Sequence, residues 1–329
     1  MEIDLSTTYL GLKLANPIVV GACPLVGQLD VLRRVEEHGA AAAVLPSLFG
    51  EQLEWTGGGG PSLESTAYFH QLKQYNRGPD AYLKYLTTAK EAVSIPLVAS
   101  INATAPGKWV HFARQIEDAG ADALELNLFF LVPDFDTTSR ELESRYVELV
   151  AQVRDEVSIP LAVKVGPFFT AFGNVARRLV EAGADGLVLF NRFLEPEIDL
   201  DQMRVVPRLA LSSPQEMRVV LRWIALLHGR LDASLAATTG VHFADDAVRM
   251  VLAGADAVMV TSTLYRHGVE VIGTLVEGMR TWLEMKDYAS LAQVKGLLSY
   301  KRCADPAAFE RANYTQAISS YAAADDWTR

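Results

Sequence analysis

One lysine interrupts an apolar run. Leu161 to Val165 follow Pro160, which stops a polar helix end (Arg154, Asp155, Glu156), and have the length and character of a fully buried parallel strand. Inside that run stands Lys164. Burying an ammonium group costs several kcal/mol unless an anion meets it or it gives up its proton. The strand therefore carries either a paired structural lysine or a cation aimed into a site, and in an enzyme-sized chain the site is the preferred reading. Asn102, Asn127 and Asn191 each close a similar apolar run. An amide both donates and accepts, so it can read the edge of a heterocycle such as an isoalloxazine or a pyrimidine. A single asparagine would be explained by a turn that satisfies its own backbone; three at alternating strand ends are not.

Hydroxyls supply the next signal. Thr238-Thr239-Gly240 precedes a helical stretch, and Thr261-Ser262-Thr263 follows the last apolar run. Threonine and serine often cap helices with no ligand present, but the two loops together make a phosphate site, where free N–H groups and hydroxyls converge. Lys164 would stabilise negative charge growing on a bound ring. The six histidines are scattered, and only His242 lies near the phosphate loop. No cluster of His, Cys or carboxylates has the spacing of a zinc or magnesium site.

The elements that must position these groups repeat. A small-residue helix end leading into a strand occurs at His38-Gly-Ala-Ala, Ala119-Gly-Ala-Asp, Ala182-Gly-Ala-Asp and Ala253-Gly-Ala-Asp. Glycine takes the left-handed cap and aspartate closes the turn. A second phrase, Val-Ser-Ile-Pro-Leu, occurs at 93–97 and 157–161. The two alternate at intervals of about 30 to 40 residues, the length of a βα unit. Candidate strands fall at 17–22, 42–46, 96–101, 122–127, 160–165, 186–190, 233–238 and 256–261, with amphipathic helices between them at Trp109–Ala119, Glu141–Val157, Asn174–Ala182, Pro214–His228 and Phe243–Ala253. Eight strands separated by helices predict an α/β fold of the (β/α)8 TIM-barrel class, a single domain over 1–299. An open doubly wound sheet gains little support, since no Gly-x-Gly-x-x-Gly turn follows the first strand. Function then lies at the C-terminal ends of the strands, beneath long loops at 48–80 and 192–213. Residues 300–329 read as an appendage packed on the barrel exterior.

Composition narrows the class. The chain has 329 residues, half of them hydrophobic, and a net charge of −10, which argues against a nucleic-acid or polybasic membrane surface. Two cysteines, Cys23 and Cys303, make neither a disulfide framework nor an iron–sulfur centre. No apolar run reaches membrane-spanning length, and Met1-Glu-Ile-Asp4 lacks a basic signal-peptide region, so a soluble cytoplasmic protein is expected.

Several ordered motifs resemble the class 1 dihydroorotate dehydrogenases, FMN-dependent barrels of pyrimidine metabolism, and more closely the dihydroorotate dehydrogenase-like branch of that family. They are Thr8-Tyr-Leu-Gly-Leu-Lys-Leu-Ala-Asn-Pro17, Gly21-Ala22-Cys23, Ser47-Leu-Phe-Gly-Glu-Gln52, Ser100-Ile-Asn102, Glu125-Leu-Asn127, Ala162-Val-Lys164 and Leu189-Phe-Asn-Arg-Phe193. The resemblance extends to about residue 298. It implies that Ala22 and Cys23 touch the flavin, that Lys164 faces its N1/O2 edge and Asn127 its ring, and that Ser47 and Asn191 line the flavin and substrate side. Asn102 would lie near substrate, while Thr239, Gly240, Thr261 and Ser262 hold the FMN phosphate. It also implies a homodimer. Two departures stand out. The family's Cys or Ser base, in N-x-S-C-P-N, falls at Phe130, and the lysine before the strand-two serine is here Pro46. Losing a general base typically costs ~10²–10⁴ in rate, so dihydroorotate itself is not the expected substrate. Hydride transfer through flavin N5 at a CH–CH group of a small, more apolar substrate is the leading expectation. Tyr68, His70 and Tyr75 are the candidate proton donors. A non-catalytic flavin protein, authentic dihydroorotate oxidation, and a flavin-free phosphate-binding lyase or isomerase using Glu125 and Lys164 are the alternatives.

Overall fold

A computed structural model describes residues 3–54, 78–103, 107, 109–192, 196–311 and 313–322. The chain opens with an antiparallel pair, β1 (Thr7–Tyr9) and β2 (Leu12–Leu14). Then come β3 (Ile18–Val20), β4 (Ala42–Val44), a short β5 (Leu48–Phe49), β6 (Leu97–Ala103), β7 (Ala123–Leu128), β8 (Leu161–Val165) and β9 (Gly186–Leu189). A hairpin of β10 (Pro196–Asp199) and β11 (Arg204–Pro207) precedes β12 (Ser234–Thr238) and β13 (Ala257–Val260). The parallel strands run in the order β4-β3-β13-β12-β9-β8-β7-β6, and β4 pairs with β6 through Ala43↔Leu97 and Val44↔Val98. The sheet is therefore closed: a (β/α)8 TIM barrel. All eight expected strands are present, most of them trimmed at one or both ends.

Side-chain alternation sorts the strands into two cores. Outward-facing Ile18, Val20, Leu97, Leu124, Leu161 and Leu187 meet the buried faces of the surrounding helices. Inward-facing Val19, Val44, Val98, Ala123, Ala162, Val188, Ala236, Ala257 and Met259 form a separate interior cluster, into which Tyr9, Leu10 and Leu14 of the β1–β2 hairpin pack. Alanines are too small to fill a barrel of this size at protein density, so the hairpin supplies the missing volume as a plug.

The repeated Gly-Ala-Asp phrase has a more specific role than closing its own turn. Each aspartate reaches the neighbouring strand and caps an N–H at its start: Asp122 accepts from Leu97 N (2.7 Å), Asp185 from Leu161 N (2.8 Å) and Asp256 from Leu235 N (2.8 Å). Each is also paired with a cation, respectively Lys90, Arg154 and Lys295. The repeat at 38–41 carries Ala41 instead, and there Glu36 accepts from Ser94 N (2.7 Å) and Ile95 N (3.2 Å). The preceding glycines, Gly120 and Gly183, hold φ of +93° and +108°, the left-handed cap that a side chain would strain.

Periodicity did not reveal two features. β5 pairs with β6 at the start of the 48–80 segment, and residues 196–207 form an exposed ribbon. Past residue 299, Tyr300 N donates to Ala225 O (3.0 Å) and Phe309 packs against the outer core. Tyr68, His70, Tyr75 and the glycine run 57–60 lie outside the described residues. Among the described residues no helix is long and apolar enough to cross a membrane.

Candidate functional site

A cavity of ≈ 720 Å³ opens at the C-terminal ends of the strands, the face on which barrel enzymes carry their chemistry. Strand ends supply its floor: Ala22 and Cys23 after β3, Ser47 after β4, Asn102 on β6, Asn127 on β7, Lys164 on β8 and Asn191 after β9. Thr239 and Gly240 after β12, with Thr261 and Ser262 after β13, form one corner. The cofactor- and substrate-binding residues expected from sequence thus share one cavity.

The geometry within it is ordered. Asn191 Nδ2 donates to Asn127 Oδ1 at 2.8 Å, which leaves Asn127 an N–H group and Asn191 a carbonyl for a third partner. The Ser47 and Ser100 hydroxyls lie 2.8 Å apart. Lys164 is 11% exposed at the floor, and its Nζ stands 3.7 Å from Glu125 Oε1, which is 1% exposed. Register explains the pair. Asn127 is level with Asn102 and Lys164, while Glu125, two residues earlier on the same face of β7, is level with Ser100 and Ala162. Burial raises the Glu125 carboxyl, with the Lys164 charge pulling against it.

At the hydroxyl corner Thr239 has φ +84°, a left-handed conformation costly for a threonine, and its Oγ1 donates to Phe190 O (3.1 Å). Gly240, at φ +82°, lies so close to the helix Met217–Leu227 that a Cβ would meet Met217 N at 2.5 Å. Ser212 ties the corner together: its N–H donates to Ser262 Oγ (3.1 Å) and its Oγ accepts from Gly240 N (3.3 Å). His242 does not reach the cavity; its Nε2 stands 3.4 Å from Ser212 Oγ behind the loop, and burial lowers its pKa.

The sequence did not reveal Ser212, Arg192, Leu209, Leu211 or Tyr265 as lining residues. The long loop at 192–213 was expected above the site; which of its residues face the cavity is written in no period. Tyr265 is pushed up to about 12, first by burial and then by Cys23, and burial pushes the Cys23 thiol up as well. Neither is ionised near neutrality.

The loop after β7 reaches the cavity through Phe129 and Leu131. Phe130 turns away: its ring lies 4.5 Å from that of Tyr146, which continues to Phe169 at 5.3 Å. With Phe49, Leu209 and Leu211, the outer wall is apolar. Glu125 is absent from the lining, so the Glu125–Lys164 pair offers no acid–base chemistry to a bound carbon acid. A second cavity of ≈ 490 Å³ lies at the opposite end of the barrel, where Asp185 and Asp256 are already engaged as strand caps.

The residues present fit an FMN. Among the described lining residues none is Asp or Glu; cations, amides and hydroxyls dominate the polar floor, and Thr261 and Ser262 add hydroxyls at the corner beside Thr239 and Gly240. A barrel with such a mouth is the scaffold of an enzyme. The profile of the dihydroorotate dehydrogenase family matches residues 4–283. An Aeropyrum pernix protein provisionally named dihydroorotate dehydrogenase A (fumarate) is 31% identical over 301 residues, 89% of this chain and 97% of that one. A Methanosarcina acetivorans protein named dihydroorotate dehydrogenase B (NAD(+)), catalytic subunit, is 30% identical over 298 residues, 87% and 94% of the two chains. The chain belongs to the dihydroorotate dehydrogenase family, flavin-dependent oxidoreductases acting on CH–CH groups.

Proposed function

We propose that the chain binds FMN in the C-terminal cavity and exchanges a hydride with a small substrate more apolar than dihydroorotate. One observation carries this reading: a polar floor of Lys164 and three asparagines lies beneath a wall of Phe49, Phe129, Leu131, Leu209 and Leu211. Bound FMN supplies hydride transfer at its N5. Lys164 stabilises negative charge at the N1/O2 edge, and Asn127 holds the ring. Ala22 and Cys23 flank it. Thr239, Gly240, Thr261 and Ser262 take the phosphate. Ser47, Asn102 and Asn191 face the substrate, and the apolar wall excludes water from it. A pyrimidine carboxylate against two phenylalanines would leave its polar groups unpaired, at ~1–3 kcal/mol each. Phe130 and Pro46, where the family resemblance puts the base and a lysine, weigh the same way.

A second reading is dihydroorotate oxidation itself, favoured by the names of the relatives. Visible spectra of the purified protein, before and after FMN addition and desalting, test the cofactor. Turnover of dihydroorotate against a panel of apolar cyclic alkenes, with fumarate and NAD(+) among the acceptors, tests the substrate. Retained flavin with alkene reduction supports the first reading. Turnover of dihydroorotate alone overturns it, and a protein that retains no flavin overturns both.

A further inference from the structure

Glu125 is the most anomalous group in the barrel. It is fully buried, and among the described residues neither carboxylate oxygen has a hydrogen-bond partner. Buried carboxylates normally accept two or three hydrogen bonds, and each unsatisfied one calls for an explanation. Its charged neighbour is Lys164, with Nζ 3.7 Å away and aimed at the cavity floor. From below, the plug brings Tyr9, whose hydroxyl is also buried without a partner among the described residues and whose pKa is raised by burial, then by Glu125, then by Asp256. Cys23, beside Lys164 at the cavity, stays a neutral thiol. The barrel axis thus stacks a phenol, a carboxylate and an ammonium in order beneath the site.

A purely structural account fails to explain the carboxylate. Apart from Ser100, level with it on β6, and Tyr9 of the plug, the surrounding interior is apolar, and an apolar side chain would fill the same volume without desolvating a charge. We propose that Glu125 is a positioning residue that holds the Lys164 ammonium on the barrel axis and offsets part of its positive field at the bound cofactor. This rests on the FMN reading above. Lys164 is Glu125's charged partner, so the proposal carries a specific corollary. When Lys164 is neutralised, the lone buried carboxyl takes up a proton and its influence on the cofactor vanishes.

The test is a potentiometric titration of the bound flavin in wild type, E125Q, K164Q and E125Q/K164Q, each reconstituted with FMN. E125Q removes an anion below the ring and raises the midpoint potential, by at least tenfold in the reduced-to-oxidised equilibrium, or about 30 mV for a two-electron couple. K164Q lowers the potential, and adding E125Q to it changes nothing further. An unmoved potential in E125Q, or an equal shift in both backgrounds, overturns the proposal. A readout independent of flavin is the infrared carbonyl stretch of a protonated carboxylic acid in apoprotein. At neutral pH it appears in K164Q and disappears in the double variant. A wild-type chain that holds no flavin would sink the cofactor reading by itself; the pair is then judged on that band, and its absence from K164Q overturns the proposal.

Discussion

Lys164 was readable because charge and hydrophobicity conflict within five residues, and that conflict is local. In the sequence Glu125 is visible only as a possible acid–base partner; that it is the counter-ion is decided by the register of β7 and β8, because it lies on a different strand. Removing the ammonium deletes a preorganised donor at a site shielded from water; K164A should weaken FMN retention on desalting and cut turnover by on the order of 10²–10³. Glu125 makes a pH prediction. Burial holds its folded-state carboxyl above the ordinary glutamate value, so the unfolded chain releases that proton first. The group's contribution to stability is complete at and below that range and is lost as pH rises through the folded value. Urea unfolding of apoprotein should therefore show wild-type stability falling relative to E125Q from pH ~4.5 upward. A difference that is flat or rises with pH contradicts this.

At the scale of elements, the turns carry the barrel and the site together. Helix ends, prolines and glycines announced all eight strands, but the aspartates' reach to a neighbouring strand requires that strand to be in place. Asp256→Ala should cost about 1–3 kcal/mol, since Leu235 N and Lys295 both lose a half-buried partner. Asp256 lies away from the cavity, so flavin retention should survive; thermal unfolding and a visible spectrum on the same sample check both statements. The hydroxyl corner behaves differently. Gly240→Ala meets Met217 backbone and an unfavourable φ at once, so it should lower stability by ~2 kcal/mol or more and abolish phosphate binding together. An alanine variant that folds and holds FMN normally would show that the corner is not the phosphate site.

At the scale of the whole molecule, an exposed apolar ribbon among the described residues stands apart from the barrel. Ile198 (63% exposed), Leu200 (78%), Met203 (83%) and Val205 (68%) crowd a two-stranded ribbon beside the cavity mouth. Such ribbons are marginal alone in water, and the homodimer that the family resemblance implies would cover this one. Light scattering should give a dimer for wild type and a monomer for I198E/V205E; a monomeric wild type refutes it. By itself the sequence determined the βα rhythm, the closed-barrel class, the buried lysine, the strand-end asparagines and the hydroxyl loops, because each is written in period, composition or turn chemistry over a few residues. Only the tertiary structure decided that Phe129 and Leu131 rather than Phe130 face the cavity, that Ser212 ties the hydroxyl corner together, and that Glu125 lies under Lys164. Loops have no period to read. Contacts across a closed sheet join residues dozens of positions apart, and chain closure, rather than local preference, sets which of them meet.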